Sequence, residues 1–137
     1  MVNVDKATEQ DIDSLLDIDR STTGFPDSLI TASVKAGQCF IIRENDNITG
    51  FGILEYTFYG QGFIGLLIVD SEYRRRGIAS AIVKHIESIC KTKKLFTSTN
   101  ESNIIAQKVY ESLGFVRSGY IENLDEGDPE IIYFKQL

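Results

Sequence analysis

Histidine occurs once in this 137-residue sequence, at His85, and cysteine twice, at Cys39 and Cys90. No C-x-x-C pair is present, so the ligand spacing of a zinc site is missing and no metal is expected. Positive charge is also scarce: 14 Lys and Arg stand against 20 Asp and Glu, a formal net charge of −6. That balance argues against bulk attraction to nucleic acid or to an anionic membrane, and neither is expected as a partner. No apolar run approaches the roughly 20 residues a membrane-crossing helix needs. The opening MVNVDKATEQD has no basic n-region and no apolar h-region, so no signal peptide is read there. Internal repeats and low-complexity linkers are absent as well. These absences point to a cytoplasmic protein with reduced thiols.

What is present is an ordinary globular balance, 42% hydrophobic and 25% charged residues. The length suits one domain, residues 1–137, around one core. VNVDKA alternates as a short strand. In TEQDIDSLLDIDR, Ile12, Leu15 and Leu16 form one stripe, with Asp11, Asp13, Asp17 and Asp19 on what reads as a solvated face. Thr8 is the candidate N-cap. SLITASVKAG reads as a second helix ended by Gly37. QCFIIREN, ITGFGILEYTFYG and QGFIGLLIVD read as three strands of a meander, the first turn falling at Asp46–Asn47. GFIGLLIV is apolar throughout, which predicts a central strand covered on both faces. Ile78, Ile82, Ile86 and Ile89 then repeat at helical spacing, with Lys91, Lys93 and Lys94 near the helix end. LFTST is a strand, NIIAQKVYESL a helix, and FVRSGYIEN and EIIYFKQL two final strands. The order is β-α-α-β-β-β-α-β-α-β-β: an α/β fold with a mixed, mostly antiparallel sheet of about seven strands and about four helices.

The chemistry concentrates at RRRGIA, Arg74 to Ala79. Three arginines end on a glycine where a buried strand meets a helix. First-turn N–H groups of a helix have no internal partner, and the dipole favours an anion there. Gly77 lets an anion approach the backbone, while Ala79 and Ser80 keep the following positions small. Such a turn suits a phosphate or pyrophosphate. No G-x-x-x-x-G-K-[ST] occurs, and a Rossmann fingerprint would need three glycines where one stands. On the bland reading the arginines are surface charges paired with acids such as Glu72.

VDSEYRRRGIASAIVKHIE resembles the acyl-CoA-binding segment of the GCN5-related N-acetyltransferase (GNAT) superfamily, whose [Q/R]-x-x-G-x-[G/A] core is met by Arg74, Gly77 and Ala79. TNESNIIAQKVYESLGF resembles the same family's N-x-x-A-x-x-x-Y-x-x-x-G-F stretch through Asn103, Ala106, Tyr110, Gly114 and Phe115. The element order is also similar to the family fold.

The resemblance implies an N-acetyltransferase moving an acetyl group from acetyl-CoA to a primary amine of a small molecule or peptide by direct attack. It implies a gap between the strand before the turn and the next parallel strand, with Leu67, Ile68 and Val69 offering backbone to the pantetheine arm. The pyrophosphate would sit on amides from Arg74 through Ile78, Ala79 and Ser80, with Arg75 and Arg76 reaching outer phosphates. Asn103 would orient the cofactor and Ala106 leave room for it. Tyr110 would protonate the departing thiolate, since a phenol with a pKa near 10 is protonated at neutral pH. Tyr110 reads equally as a core aromatic. An N–H of Ile68 or Val69 would hold the oxyanion.

The base is not evident. Glu55 is the first candidate and Glu122 another, and each reads also as a surface acid. Cys39 has no evident activating partner, so a cysteine-acyl intermediate is not expected. The segment Thr57–Gly60 and the early helices are candidates for the acceptor side. Asp125, Glu126, Asp128 and Glu130 form either an acidic rim that would favour a cationic amine or a solvated turn. His85 reads as a surface residue. Exposed C-terminal strand edges leave room for a homodimer. Two alternatives stand beside the enzyme: a non-catalytic acyl-CoA-binding or sensing module, and a protein-interaction domain.

Overall fold

The computed structural model describes residues 3–20, 25–74 and 77–137. Among these the order is β1 (Asp5–Lys6), α1 (Ile12–Arg20), α2 (Asp27–Lys35), β2 (Cys39–Glu44), β3 (Asn47–Phe58), β4 (Gln61–Val69), α3 (Ile78–Ile89), β5 (Lys94–Asn100), α4 (Ile104–Ser112), β6 (Val116–Ile121) and β7 (Glu130–Gln136). This is the order expected from the sequence. The strands form one seven-stranded sheet, β1-β2-β3-β4-β5-β7-β6. Among the described residues only the β4–β5 neighbours run parallel, and α3 supplies the crossover such a pair requires.

Local chemistry explains most boundaries. Gly37, at φ +70°, ends α2. Its N–H reaches the Val34 carbonyl and that of Gln38 reaches Ser33, the paired bonds of a Schellman motif. The β2–β3 turn sits on Asn45 and Asp46, both at positive φ, one residue before the expected place. Both central residues of a two-residue hairpin turn need positive φ, so Asn47 opens β3 instead. Tyr59 and Gly60 turn β3 into β4 in the same way.

The two sheet faces carry different cores. On one, Ile78, Ile82 and Ile86 of α3 and Tyr110 of α4 pack on Phe40, Leu54, Ile64 and Tyr133. On the other, Leu15 of α1 with Ile30 and Val34 of α2 pack on Ile41, Phe51, Ile53 and Ile68. Helix α3 lies close on β3 because that strand presents glycines to it. A Cβ on Gly50 would sit 2.7 Å from Ile78 Cγ2, and one on Gly52 2.7 Å from Ile82 Cγ2.

Four expectations are corrected. Asp11 and Asp19 are buried, at 6% and 0% exposure, and are not part of a solvated face. Asp11 accepts from the Thr8 N–H (2.8 Å) and is ion-paired with Arg43. Burial works against its charge, but these partners hold its carboxyl below the usual range. Helix α3 stops at Ile89, which is 40% exposed, so Lys91 to Lys94 fall outside its last turn. His85 is half-buried, its ring 5.2 Å from that of Phe40. Strand β4 is central but not covered throughout. Leu66 and Ile68 are buried under α1 and α2, whereas Leu67 and Val69 stay half-buried because the sheet is split beside them.

That split has a local cause. Ile53 faces Leu66 and Leu54 faces Ile64, so Gly65 is an extra residue, a bulge in β4. Strands β4 and β5 pair through Gly62–Leu95, Phe63–Phe96 and Ile64–Thr97 and no further. Beyond that rung β4 follows β3 as far as Gly50–Val69, while β5 follows β7 to Asn100–Glu130.

Candidate active site

Where β4 and β5 part, a cavity of roughly 440 Å³ opens on the α3–α4 face. Its β4 wall is Leu67, Ile68 and Val69; the turn and α3 bring Arg74, Gly77, Ile78, Ala79 and Ser80; α4 brings Asn103, Ala106 and Tyr110. Every described cofactor candidate from the sequence is therefore in one place. Arg75 and Arg76 lie outside the described residues. Tyr73, Ile105 and Val109 also line the cavity. Sequence reasoning missed them because they sit between motif positions and show no chemical signal of their own.

The β4 wall is an unpaired strand edge. Backbone N–H and C=O groups beyond Ile64 have no β5 partner, and such groups call for one. At the outer end α3 begins on Gly77, at φ +73° and without a side-chain cap. Among the described residues, chain neighbours apart, nothing lies within 4 Å of where a Gly77 Cβ would stand. Residues Gly77 to Ser80, the first turn of α3, line the cavity, and first-turn N–H groups lack helical partners, the arrangement that suits anions.

At the inner end lies Tyr110, 4% exposed. Its ring packs 5.7 Å from Phe115 and 5.6 Å from Tyr133. Its hydroxyl lies beside Thr97, whose own hydroxyl donates to the Ile64 carbonyl at 3.0 Å. Thr97 and Ile64 form the last rung before the split, so the phenol sits at its apex. Burial pushes the Tyr110 hydroxyl above its usual pKa; nearby Thr97 opposes this and the charge of Glu130 adds to it.

Asn103 caps α4, its Oδ1 accepting from the Ala106 N–H at 3.1 Å. The approach to that cap is fixed by the acidic loop. Asp128 accepts from the Ser102 N–H (3.0 Å) and hydroxyl (2.6 Å), and Asp125 from Asn100 (2.8 Å). Asp125 and Asp128 thus bracket the loop from its solvent-facing side.

Glu55 does not line the cavity. Strand alternation turns it to the opposite sheet face from Leu54, where it stands across from Phe63. Its carboxylate lies over Gly65, 2.9 Å from where a Cβ would be, and accepts from the Thr57 hydroxyl at 3.2 Å. Glu122 is exposed beyond the end of β6. On the Glu55 face Phe58 stacks on Phe63 (4.8 Å) and touches Phe96 (5.2 Å), which touches Phe134 (5.3 Å). No cluster of metal-binding side chains occurs among the described residues. Cys39 is buried, and burial pushes its thiol up to about 12, which disfavours a nucleophilic thiolate.

A split parallel strand pair ending at an open helix N-terminus defines a site for a long ligand with an anionic part. The sequence model of the acetyltransferase (GNAT) family matches residues 7–115, and the chain belongs to that family. A crystal structure of a GNAT-family acetyltransferase from Bacillus cereus is similar over 99% of this chain and 97% of that one, with 45% identity and a TM-score of 0.92. N-alpha-acetyltransferase 30 of Xenopus laevis is 36% identical over 88 residues, 58% of this chain. This chain spans about a third (32%) of that relative's length. The [ribosomal protein bS18]-alanine N-acetyltransferase of Haemophilus ducreyi is 27% identical over 118 residues, 82% of this chain and 81% of that protein.

Proposed function

We propose that this chain transfers an acetyl group from acetyl-CoA to a primary amine, and that the amine belongs to a peptide, a protein or a small molecule. One observation carries the reading: a single cavity joins the unpaired β4 edge, the open α3 N-terminus and the Tyr110 hydroxyl. The relatives above, named for acetylating N-terminal amines and a ribosomal-protein alanine, support a peptide or protein acceptor.

Acetyl-CoA supplies an acetyl group activated as a thioester. The cavity suits it: its volume is that of a ligand site, its walls are largely Leu, Ile, Val and Ala, and its outer end offers amide donors. The Leu67–Val69 backbone would pair with the amide-bearing arm. The N–H groups of Ile78, Ala79 and Ser80, with Gly77 and Arg74, would hold the diphosphate. Charge-assisted hydrogen bonds of this kind contribute about 1.5–3 kcal/mol each, so several suffice for firm binding. Arg75 and Arg76 are proposed to reach outer phosphates. Asn103 and Ala106 form the α4 wall, and the small alanine leaves width for the arm.

Tyr110 gives its hydroxyl proton to the departing sulfur. Its raised pKa keeps it protonated across the physiological range, as this role requires. An N–H of Ile68 or Val69 would steady the oxygen that gains charge. Glu55, on the far face beside Gly65, meets the incoming amine.

Calorimetric titration with acetyl-CoA tests the cavity, and thiol release with amine acceptors tests turnover. Binding with turnover supports the enzyme. Binding without turnover on any amine would point to a sensing module, and absence of binding to an interaction domain.

A further inference from the structure

We propose that Glu130 is the carboxylate that takes the proton from the acceptor nitrogen, and that Ser98 holds it in place for that task. The proposal rests on the acetyl-transfer reading above and names a residue of the same site.

The argument starts from the apex of the split. Thr97 belongs to the last β4–β5 rung and turns its side chain toward α4 and Tyr110. Ser98 is the next residue on β5 and points to the other face. On β7, Phe134, Ile132 and Glu130 stand opposite Phe96, Ser98 and Asn100, so Glu130 shares the Ser98 face. Its carboxylate reaches back along the strand, where Oε2 accepts from the Ser98 hydroxyl at 2.6 Å. Its loop neighbours Asp125 and Asp128 turn instead to Asn100 and Ser102. Glu130 alone of this acidic segment is thus drawn toward the apex. Tyr110 packs on the opposite face beside Thr97, the residue before Ser98, so the phenol and the Glu130 carboxylate flank the same end of β5.

The geometry separates two tasks. The proton donor, Tyr110, stands on the α4 face. The carboxylates stand on the other: Glu55 on the β4 lip over Gly65 and Glu130 on the β5 lip. Glu55 holds the ammonium as it arrives. The ammonium first loses one proton to solvent, because only the free amine has the lone pair needed for attack. The amine nitrogen then forms a bond to the carbonyl carbon, and the carbon–sulfur bond breaks as Tyr110 gives its proton to sulfur. Glu130 takes the second proton from the bonded nitrogen and releases it to solvent, from which Tyr110 regains its own. A nitrogen that has begun to bond to the carbonyl is far more acidic than a free alkylammonium, so a carboxylate is a sufficient acceptor at that stage.

The experiment compares E130Q, E55Q and S98A with the unmodified full chain. Acetyl-CoA affinity is read by calorimetry. Thiol release is followed with a pentapeptide bearing a free α-amine, and without added amine, where water is the nucleophile. We expect E130Q to keep acetyl-CoA affinity within about threefold while kcat with the peptide, and the water-driven rate, fall on the order of 100-fold. E55Q should raise the peptide KM with kcat nearly unchanged, and S98A should lower kcat by about tenfold. A fall in both rates that E130D partly restores separates a chemical role from a structural one. Full rates in E130Q overturn the assignment while the acetyl-transfer reading stands. No acetyl-CoA binding by the unmodified chain overturns both.

Discussion

Helices α3 and α4 flank the same cavity, and they begin in opposite ways. Helix α4 starts on Asn103, whose side chain satisfies the Ala106 N–H, and the turn before it is tied to Asp125 and Asp128. Helix α3 starts on a left-handed glycine that, among the described residues, has no side-chain cap, and it lines the cavity. A capping side chain typically contributes about 1 kcal/mol. At α4 the protein takes that stability for itself. At α3 no described side chain caps the helix, and the proposed cofactor would use those donors. The contrast separates a helix end that holds the fold together from the one proposed to bind the diphosphate.

The sharpest way to break the contrast is to cap α3 from within. In G77E the new carboxylate would occupy the seat in front of the first-turn amides, and positive φ would strain the residue by about 1–2 kcal/mol. Acetyl-CoA affinity should fall by at least about 100-fold in calorimetry. G77A, which brings the strain without the charge, should bind far better than G77E at a similar melting temperature. Similar affinities in the two would show that backbone geometry, not the anion seat, is what matters.

The next largest effect lies at the inner end of the cavity. Y110F should lower kcat by about 100-fold or more with acetyl-CoA affinity nearly unchanged. The raised Tyr110 pKa also fixes a sign. The phenol keeps its proton beyond pH 10, so activity should not decline through Tyr110 ionisation below that point. A rate–pH profile that fell near neutrality on the alkaline side, and lost that fall in Y110F, would contradict the burial argument.

Helix α4 should respond the other way from α3. N103A removes a cap and should cost about 1 kcal/mol, a drop in melting temperature of about 4 °C. Its effect on acetyl-CoA affinity should stay below about tenfold, well short of G77E. The smallest effect is expected from D128N, which weakens the bracket on Ser102 by about 1 kcal/mol. Thermal unfolding should register it while thiol release at saturating substrates stays close to the parent value.

How much was legible beforehand differs along the chain. The α3 turn announced itself because a glycine among arginines at a strand-to-helix junction has few explanations, and the second motif carried Asn103, Ala106 and Tyr110 with it. Glu55 was visible only as the acid nearest the central strand. Its place over Gly65, on the face away from Tyr110, depends on strand alternation and on the β4 bulge together. Asp11 read as solvated because its partner Arg43 lies 32 residues away. Glu130 read as one of four acids in a loop. Only the β5–β7 register brings it to Ser98 and separates it from Asp125 and Asp128.

By itself the sequence determined the element order, the α3 turn and the helix stripes, because periodicity, capping and turn chemistry act over a few residues. The tertiary structure decided where β4 leaves β5, which face each acid occupies and which helix end remains open. Those outcomes depend on pairings between strands tens of residues apart. A single bulge at Gly65 shifts which side chains share a face, and no local pattern records such a shift.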